Sequence, residues 1–339
     1  MNITTLGIDI AKNVFQLHGV NKAGITVLTK KISRKKFPEF IAQLEPCLMG
    51  MEACGGSNYW GRKFRSMGHD VRLISPQFVK PYVKSNKNDA VDAEAICEAV
   101  ARPNMRYVSI KSIEQQDIQS IHRIRSRFVK ERTALTNQIR GLLAEYGVVI
   151  PQGISNVRQE LPFIVEDGSN ELSTLCRNLF NNLYEQLQYS DKKVKEYDLQ
   201  IQEYCRNNEV CKRLLELPGV GELIATAIVA SIGDATIFRN GREMAAFIGL
   251  VPKQYSSGGK QRLLGISKRG DRYLRCLLIH GARSVLFRAK NLPKKQAQWL
   301  NSLIERRGRN RATVALANKN ARVMWALMTK GENFNATKI

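Results

Sequence analysis

"TTLGIDI", residues Thr4 to Ile10, is the stretch on which the fold turns. Its β-branched and apolar residues read as a strand, with a single acid, Asp9, set near the end. "NVFQLHGV" (13–20) and "ITVLTKKI" (25–32) repeat the strand pattern, and the turn tetrapeptide "NKAG" between them joins the two as a hairpin. Farther on, "RKKFPEFIAQL" reads as helix, "CLMGME" as a buried strand, "NYWGRKFRSM" as helix and "DVRLIS" as strand. A last helix opens near Asp89 and stops before Pro103. Three antiparallel strands followed by alternating helices and strands predict an α/β domain with a mixed sheet over residues 1–110.

From Ser112 to about Arg206 the strand signal is gone. Ile121, Ile124, Phe128, Leu135, Ile139, Leu142 and Tyr146 fall on helical steps, as do Leu172, Leu175, Leu179, Leu183 and Leu187, continuing to Val194, Tyr197, Ile201 and Tyr204. Each set marks the apolar stripe of one long helix, serving as core or as a dimer seam. "VVIPQG" between them suits a turn, so residues 111–206 are expected to form an antiparallel helical hairpin or coiled coil. Residues 207–339 read as mainly helical with glycine interruptions. There "LLELPGVGELIATAIVASIG" sets Gly219 and Gly221 at a turn before a helix. Such a turn offers backbone N–H groups to a phosphate, as in helix-hairpin-helix modules; capping and close packing explain the same pattern.

The charge narrows the partners. Across 339 residues, 53 Lys and Arg face 30 Asp and Glu, a net of +23. From Lys253 to Lys330 there are nineteen bases against Asp271 and Glu305, a net of +17. A surface so basic favours a polyanion, nucleic acid before a membrane face. Seven scattered cysteines, odd in number and with no C-x-x-C, argue against a disulfide framework and a zinc site, and so for a reducing compartment. Four histidines show no metal-ligand spacing. No apolar run approaches a membrane span, and Met1 leads directly into a strand, so a cytoplasmic protein is expected.

Four acids stand out in the first domain. Asp9 lies near the end of one strand, Glu52 ends another, and Asp89 and Asp92 lie three apart on the first turn of a helix. Together they can surround a divalent cation with hard oxygen ligands. Singly, Asp89 is explained as an N-cap and Asp92 as a partner of the helix dipole. Asp9 and Glu52, embedded in apolar strands, are costly without a partner.

"GIDIAK", "MEACGG" and "KNDAVDAEAI" resemble the N-terminal RuvC-like (RNase H-like) domain of the DEDD transposases, insertion-sequence recombinases related to the Piv DNA invertase. "LPGVGELIATAIVASIGD", "FRNGREMAAFIGLVPKQYSSGGK" and "LLGISKRGDRYLRCLLIHGA" resemble the transposase domain of the same family, in the expected order. The resemblance implies that Asp9, Glu52, Asp89 and Asp92 bind Mg²⁺ (or Mn²⁺). It implies a serine nucleophile after the Gly-Leu-x-Pro run, placed at Ser257 by matching the tyrosine and the glycine, with Ser256 the alternative. Lys260, Arg262, Lys268, Arg269, Arg272 and Arg275 are the nearby cations, most of them expected on phosphate backbone.

The implied reaction is strand cleavage through a phosphoserine, strand exchange and religation of DNA, at element ends and target. The implied assembly is a homodimer or homotetramer with composite active sites, the acids of one protomer facing the serine of another. Relatives of this kind use a structured non-coding (bridge) RNA as guide. Two rivals remain: a RuvC-like structure-selective nuclease in which metal-activated water attacks, and a nucleic-acid-binding protein without chemistry. A sugar-kinase or actin-like ATPase also begins with Gly-Ile-Asp, but further glycine-rich phosphate loops are missing from the sequence.

Overall fold

β1 (Thr5–Ile10) sends Leu6 and Ile8 to one face of a six-stranded sheet and Gly7 and Asp9 to the other. The computed structural model containing it describes residues 2–84, 88–288 and 294–334. By internal contacts the chain forms two units, Met1–Gln116 with Ile228–Phe247, and Asp117–Ala227 with Ile248–Ile339.

In the first unit β2 (Val14–Val20) and β3 (Thr26–Ser33) follow β1 as an antiparallel meander, and α1 (Phe37–Ala42) leads to β4 (Leu48–Glu52). After α2 (Ser57–Arg65), β5 (Asp70–Ile74) precedes the short α3 (Pro76–Val79) and α4 (Asp89–Val100); β6 (Tyr107–Val108) closes the edge. The order is β3-β2-β1-β4-β5-β6, with β1, β4 and β5 parallel to one another. The mixed α/β sheet read from the sequence is therefore present.

Leu6, Ile8, Phe15, Leu17, Met49, Met51, Val71 and Leu73 project to the face covered by α1 and α2. There Phe15 stacks on Phe37 at 4.4 Å, and Trp60 meets Phe15 edge-on at 5.2 Å. Burying each of these large side chains contributes about 1.5–3 kcal/mol. On the opposite face Ile74 packs with Ala95, Ile96, Ala99 and Val100, so α4 closes that side.

The second unit begins with the long α5 (Ile113–Ala144), of which residues 117–144 belong here, followed by α6 (Ile154–Glu166) and α7 (Thr174–Asn207). Arg125 pairs with Asp198 at 2.5 Å, Arg132 with Asp191 at 3.2 Å, and Tyr146 meets Cys176, so α5 and α7 run antiparallel. The expected helical hairpin is present with two corrections. The stretch after "VVIPQG", read as turn, carries α6, whose Val157, Leu161 and Val165 pack with Leu135, Ile139, Leu143, Phe180 and Leu187. In addition, Ile124, Leu142, Leu175 and Leu179, counted in the stripes, are exposed, while Ile118, His122 and Phe180 are buried. A periodicity fitted over nine turns drifts off the face that a straight helix presents.

α8 (Glu209–Leu215) and α9 (Glu222–Ile232) flank the Pro-Gly-Val-Gly turn, and α10 (Gly241–Ile248) follows. The remainder is β7 (Pro252–Ser257), β8 (Lys260–Ile266), α11 (Arg272–Phe287), α12 (Lys294–Arg307) and α13 (Arg309–Lys330). The region is mainly helical, as read from the sequence, and the hairpin β7–β8 adds two strands that the sequence did not reveal. Among the described residues no helix is long and apolar enough to cross a membrane, and all seven cysteines are free.

Candidate active site

The four acids are positioned by β1, β4 and α4. β1 and β4 are parallel with Gly7 opposite Gly50 and Ile8 opposite Met51, so Asp9 and Glu52 come next on each strand and share a face. It is the face on which α4 lies. A Cβ on Gly7 would collide with the Ala93 carbonyl and the Cys97 amide, and one on Gly50 would sit 2.7 Å from Val100 Cβ. Two glycines therefore let the helix rest directly on the strands.

α4 runs antiparallel to β1. The Cys97 thiol lies 3.7 Å from the Thr5 carbonyl and Ala93 lies over Gly7, so the same step carries the end of β1 toward the first turn, where Asp89 and Asp92 stand. Asn88 caps the helix, its side chain accepting from Ala90 N at 3.1 Å. Capping thus falls to Asn88, and Asp89 is the first helical residue. Asp9, Glu52 and Asp92 are half-buried and Asp89 is exposed. The Cys54 thiol is pushed up by burial and then by the negative charges of Glu52 and Asp9, both of which it faces. Among the described residues, no three His, Cys, Asp or Glu side chains approach closely enough to hold an ion. The fold sets Asp9 and Glu52 on one face and directs the first turn of α4, with Asp89 and Asp92, toward it.

Ser257 and Ser256 lie at the end of β7. Gly258 and Gly259, with φ of 55° and 75°, make the two-residue turn to Lys260. In register, Ser257 faces Lys260, Ser256 faces Gln261, Tyr255 faces Arg262 and Gln254 faces Leu263. Alternation then puts Ser257, Tyr255, Lys260 and Arg262 on one side and Gln254, Ser256, Gln261 and Leu263 on the other. Gln254 donates to Ser256 Oγ at 2.9 Å.

Of the remaining cations, Lys260, Arg262, Lys268, Arg269 and Arg272 are exposed. Arg275 is buried and donates from Nη1 to the carbonyls of Ile248 (3.0 Å) and Arg269 (3.1 Å), which accounts for its guanidinium structurally. Gly219 approaches the Gly281 backbone so closely that a Cβ would lie 2.7 Å from its carbonyl oxygen, whereas the space around Gly221 is open. Packing accounts for the first glycine, while no neighbour demands a glycine at the second.

One group escaped the sequence reading. His122 of α5 is buried, with Nε2 2.9 Å from Thr226 Oγ1 and Nδ1 3.0 Å from the Tyr273 hydroxyl. Thr226 already donates to the Glu222 carbonyl at 2.7 Å, so it accepts from Nε2–H, and Tyr273 donates to Nδ1. Burial, helped by the Arg125 charge, lowers the imidazole pKa to about 4, and burial raises that of Tyr273. The partners lie 104 and 151 residues away, beyond any local pattern.

Residues 6–148 match the DEDD transposase family of IS110 type, and residues 211–299 match the transposase IS116/IS110/IS902 family. The transposase of insertion sequence element IS1111A from Coxiella burnetii is 49% identical over 333 residues, spanning 98% of this chain and 92% of that protein. A probable family 20 transposase from Pseudomonas aeruginosa is 49% identical over 97% of this chain and 98% of its own. The chain belongs to the IS110 family of DEDD transposases.

The transposase of element IS1328 from Yersinia enterocolitica, 40% identical, extends the likeness over 98% of this transposase and 99% of its own length. The first matched segment contains all four acids and the second contains the whole hairpin. A DEDD transposase implies use of a divalent metal. The donor set suits one: carboxylate oxygens on strand ends and a helix turn are the hard ligands that Mg²⁺ and Mn²⁺ prefer.

Proposed function

We propose that this transposase cuts and rejoins DNA by serine attack on a phosphodiester, with Asp9, Glu52, Asp89 and Asp92 holding Mg²⁺ or Mn²⁺. The observation that carries the reading is the shared α4-side face of Asp9 and Glu52, toward which α4 brings two further acids. The ion, when bound, polarises the phosphate and offsets charge on its non-bridging oxygens. The chain's own residues do the rest. Ser257 Oγ forms a bond to phosphorus, one P–O ester bond to the neighbouring sugar breaks, and the departing sugar oxygen takes up a proton as the serine loses one. Attack by a sugar hydroxyl of another strand reverses these changes, so the number of ester bonds is conserved and no high-energy co-reactant is consumed. Lys260, directly across from Ser257, neutralises developing charge. Lys268, Arg269 and Arg272 hold phosphate backbone.

Two further features follow from the family resemblance and the charge of +23. A structured guide RNA selects the DNA, and copies of the chain assemble in the bacterial cytosol so that the acids of one serve the serine of another. The deciding experiment incubates the protein with Mg²⁺, element-end DNA and the RNA transcribed beside it. A protease-sensitive protein–DNA linkage mapping to Ser257 is expected. Cleavage without any linkage would instead assign the reaction to a nuclease using activated water.

A further inference from the structure

We infer that the Ser257 side of the β7–β8 hairpin is a platform for one unpaired nucleotide beside the phosphate under attack, Tyr255 stacking on its base and Arg262 holding its own phosphate. The inference rests on the reading of Ser257 as nucleophile.

The hairpin is unusual in having no covered face. All six residues of β7 are exposed, as are six of the seven of β8. Tyr255 is 65% exposed and Leu264, farther along the same side, 44%. A lone two-stranded hairpin is marginal in water, so a ligand that lies across it also stabilises it. The two sides differ in chemistry. The Ser257 side presents a hydroxyl, an ammonium, a phenol ring and a guanidinium, and residues 252–266 contain no acid; the opposite side is uncharged.

An anion with a flat apolar part matches that set, which describes a nucleotide. Tyr255 and Ser257 are two residues apart on one strand, about 7 Å, the reach of one extended nucleotide. The base on Tyr255 therefore belongs to the neighbour of the attacked phosphate, and the stack fixes which phosphate faces Ser257 Oγ. Stacking on a ring is tolerant of base identity, so the platform sets position rather than sequence.

The test uses the full chain carrying Ser257→Ala, which separates binding from chemistry. The probe is a single-stranded oligothymidylate with 5-iodouracil at one position, irradiated and mapped by peptide. The crosslink is expected on Tyr255 and retained on the ring of Tyr255→Phe. Tyr255→Ala should weaken binding of the single strand about tenfold and that of a duplex of equal length much less. A crosslink mapping outside the hairpin, or Tyr255→Ala binding the single strand undiminished, overturns the platform. An equal loss on duplex overturns it too. Failure of the Ser257 reading shows itself separately, as a covalent DNA linkage that persists in Ser257→Ala.

Discussion

Ser256 and Ser257 are adjacent in the chain and open on opposite sides of one hairpin: Ser256 accepts a hydrogen bond from Gln254 at 2.9 Å on the uncharged side, while Ser257 stands across from Lys260. The alternation separates two serines that sequence matching leaves side by side. Ser257→Ala is expected to abolish the protein–DNA linkage, lowering strand joining by about a thousandfold or more. Ser256→Ala should stay within about threefold, a surface change that removes one exposed hydrogen bond. Denaturing gels of end-labelled DNA after incubation measure both. The reverse pattern would move the nucleophile by one residue.

The glycine contacts under α4 make a stability prediction. A methyl at Gly7 would occupy the space of the Ala93 carbonyl, a backbone atom that moves only with the helix. Gly7→Ala should cost about 1–3 kcal/mol in denaturant unfolding of the first unit. It should also weaken metal binding, since the helix that shifts carries Asp89 and Asp92. Retention of full stability would mean that α4 does not lie on the sheet at Gly7.

His122 supplies a pH dependence. Its pKa in the fold is about 4, below the 6.5 of an unfolded histidine. Between these values the unfolded chain binds the extra proton, so stability rises with pH across that window. The contribution is complete above pH 6.5 and is lost as pH falls toward 4, by about 3 kcal/mol. His122→Gln keeps polar atoms toward Thr226 and Tyr273 without titrating. Urea unfolding of the two proteins from pH 4 to 7 should show the wild type losing more stability than the variant on acidification. Parallel curves would remove His122 from the acid response.

How much of this was legible in the sequence depended on the range of the interaction. β1 to β5 follow from apolar runs and turn residues, because alternation about a sheet is a local property. The acids on strand ends and a helix turn were legible for the same reason. Their common face was not, because it depends on the β1–β4 register and on α4 resting against Gly7 and Gly50, contacts over forty residues or more. The hairpin β7–β8 stayed hidden because every residue of β7 is exposed, so no apolar period of two marks it. α6 hid behind a proline, Pro162, inside the helix and an exposed Phe163. Proline in a helix interior reads as a stop, yet here the helix continues past it to Glu166.

Metal binding is checked on the protein alone. If the acids hold Mg²⁺, millimolar Mg²⁺ should raise the thermal midpoint, since a ligand that binds only the folded state stabilises it by mass action. Glu52→Gln or Asp92→Asn should weaken Mg²⁺ binding, read by calorimetry, about tenfold or more, because each removes an anionic oxygen donor. Equal heats for wild type and both variants would dissociate these acids from the cation.

Assembly is tested by mixing defects. Asp9→Asn damages the acid site and leaves Ser257 intact; Ser257→Ala does the opposite. In a dimer whose sites each lie within one copy, a mixed pair has no complete site. If each site takes its acids from one copy and its serine from the other, a mixed pair has one complete site and one doubly broken. Random pairing makes half of the dimers mixed, so co-expressed variants should recover about a quarter of the wild-type linkage. That linkage should lie entirely on the Asp9→Asn polypeptide, the only one with a serine to offer. No recovery from a preparation shown to contain mixed dimers would place acids and serine in the same copy.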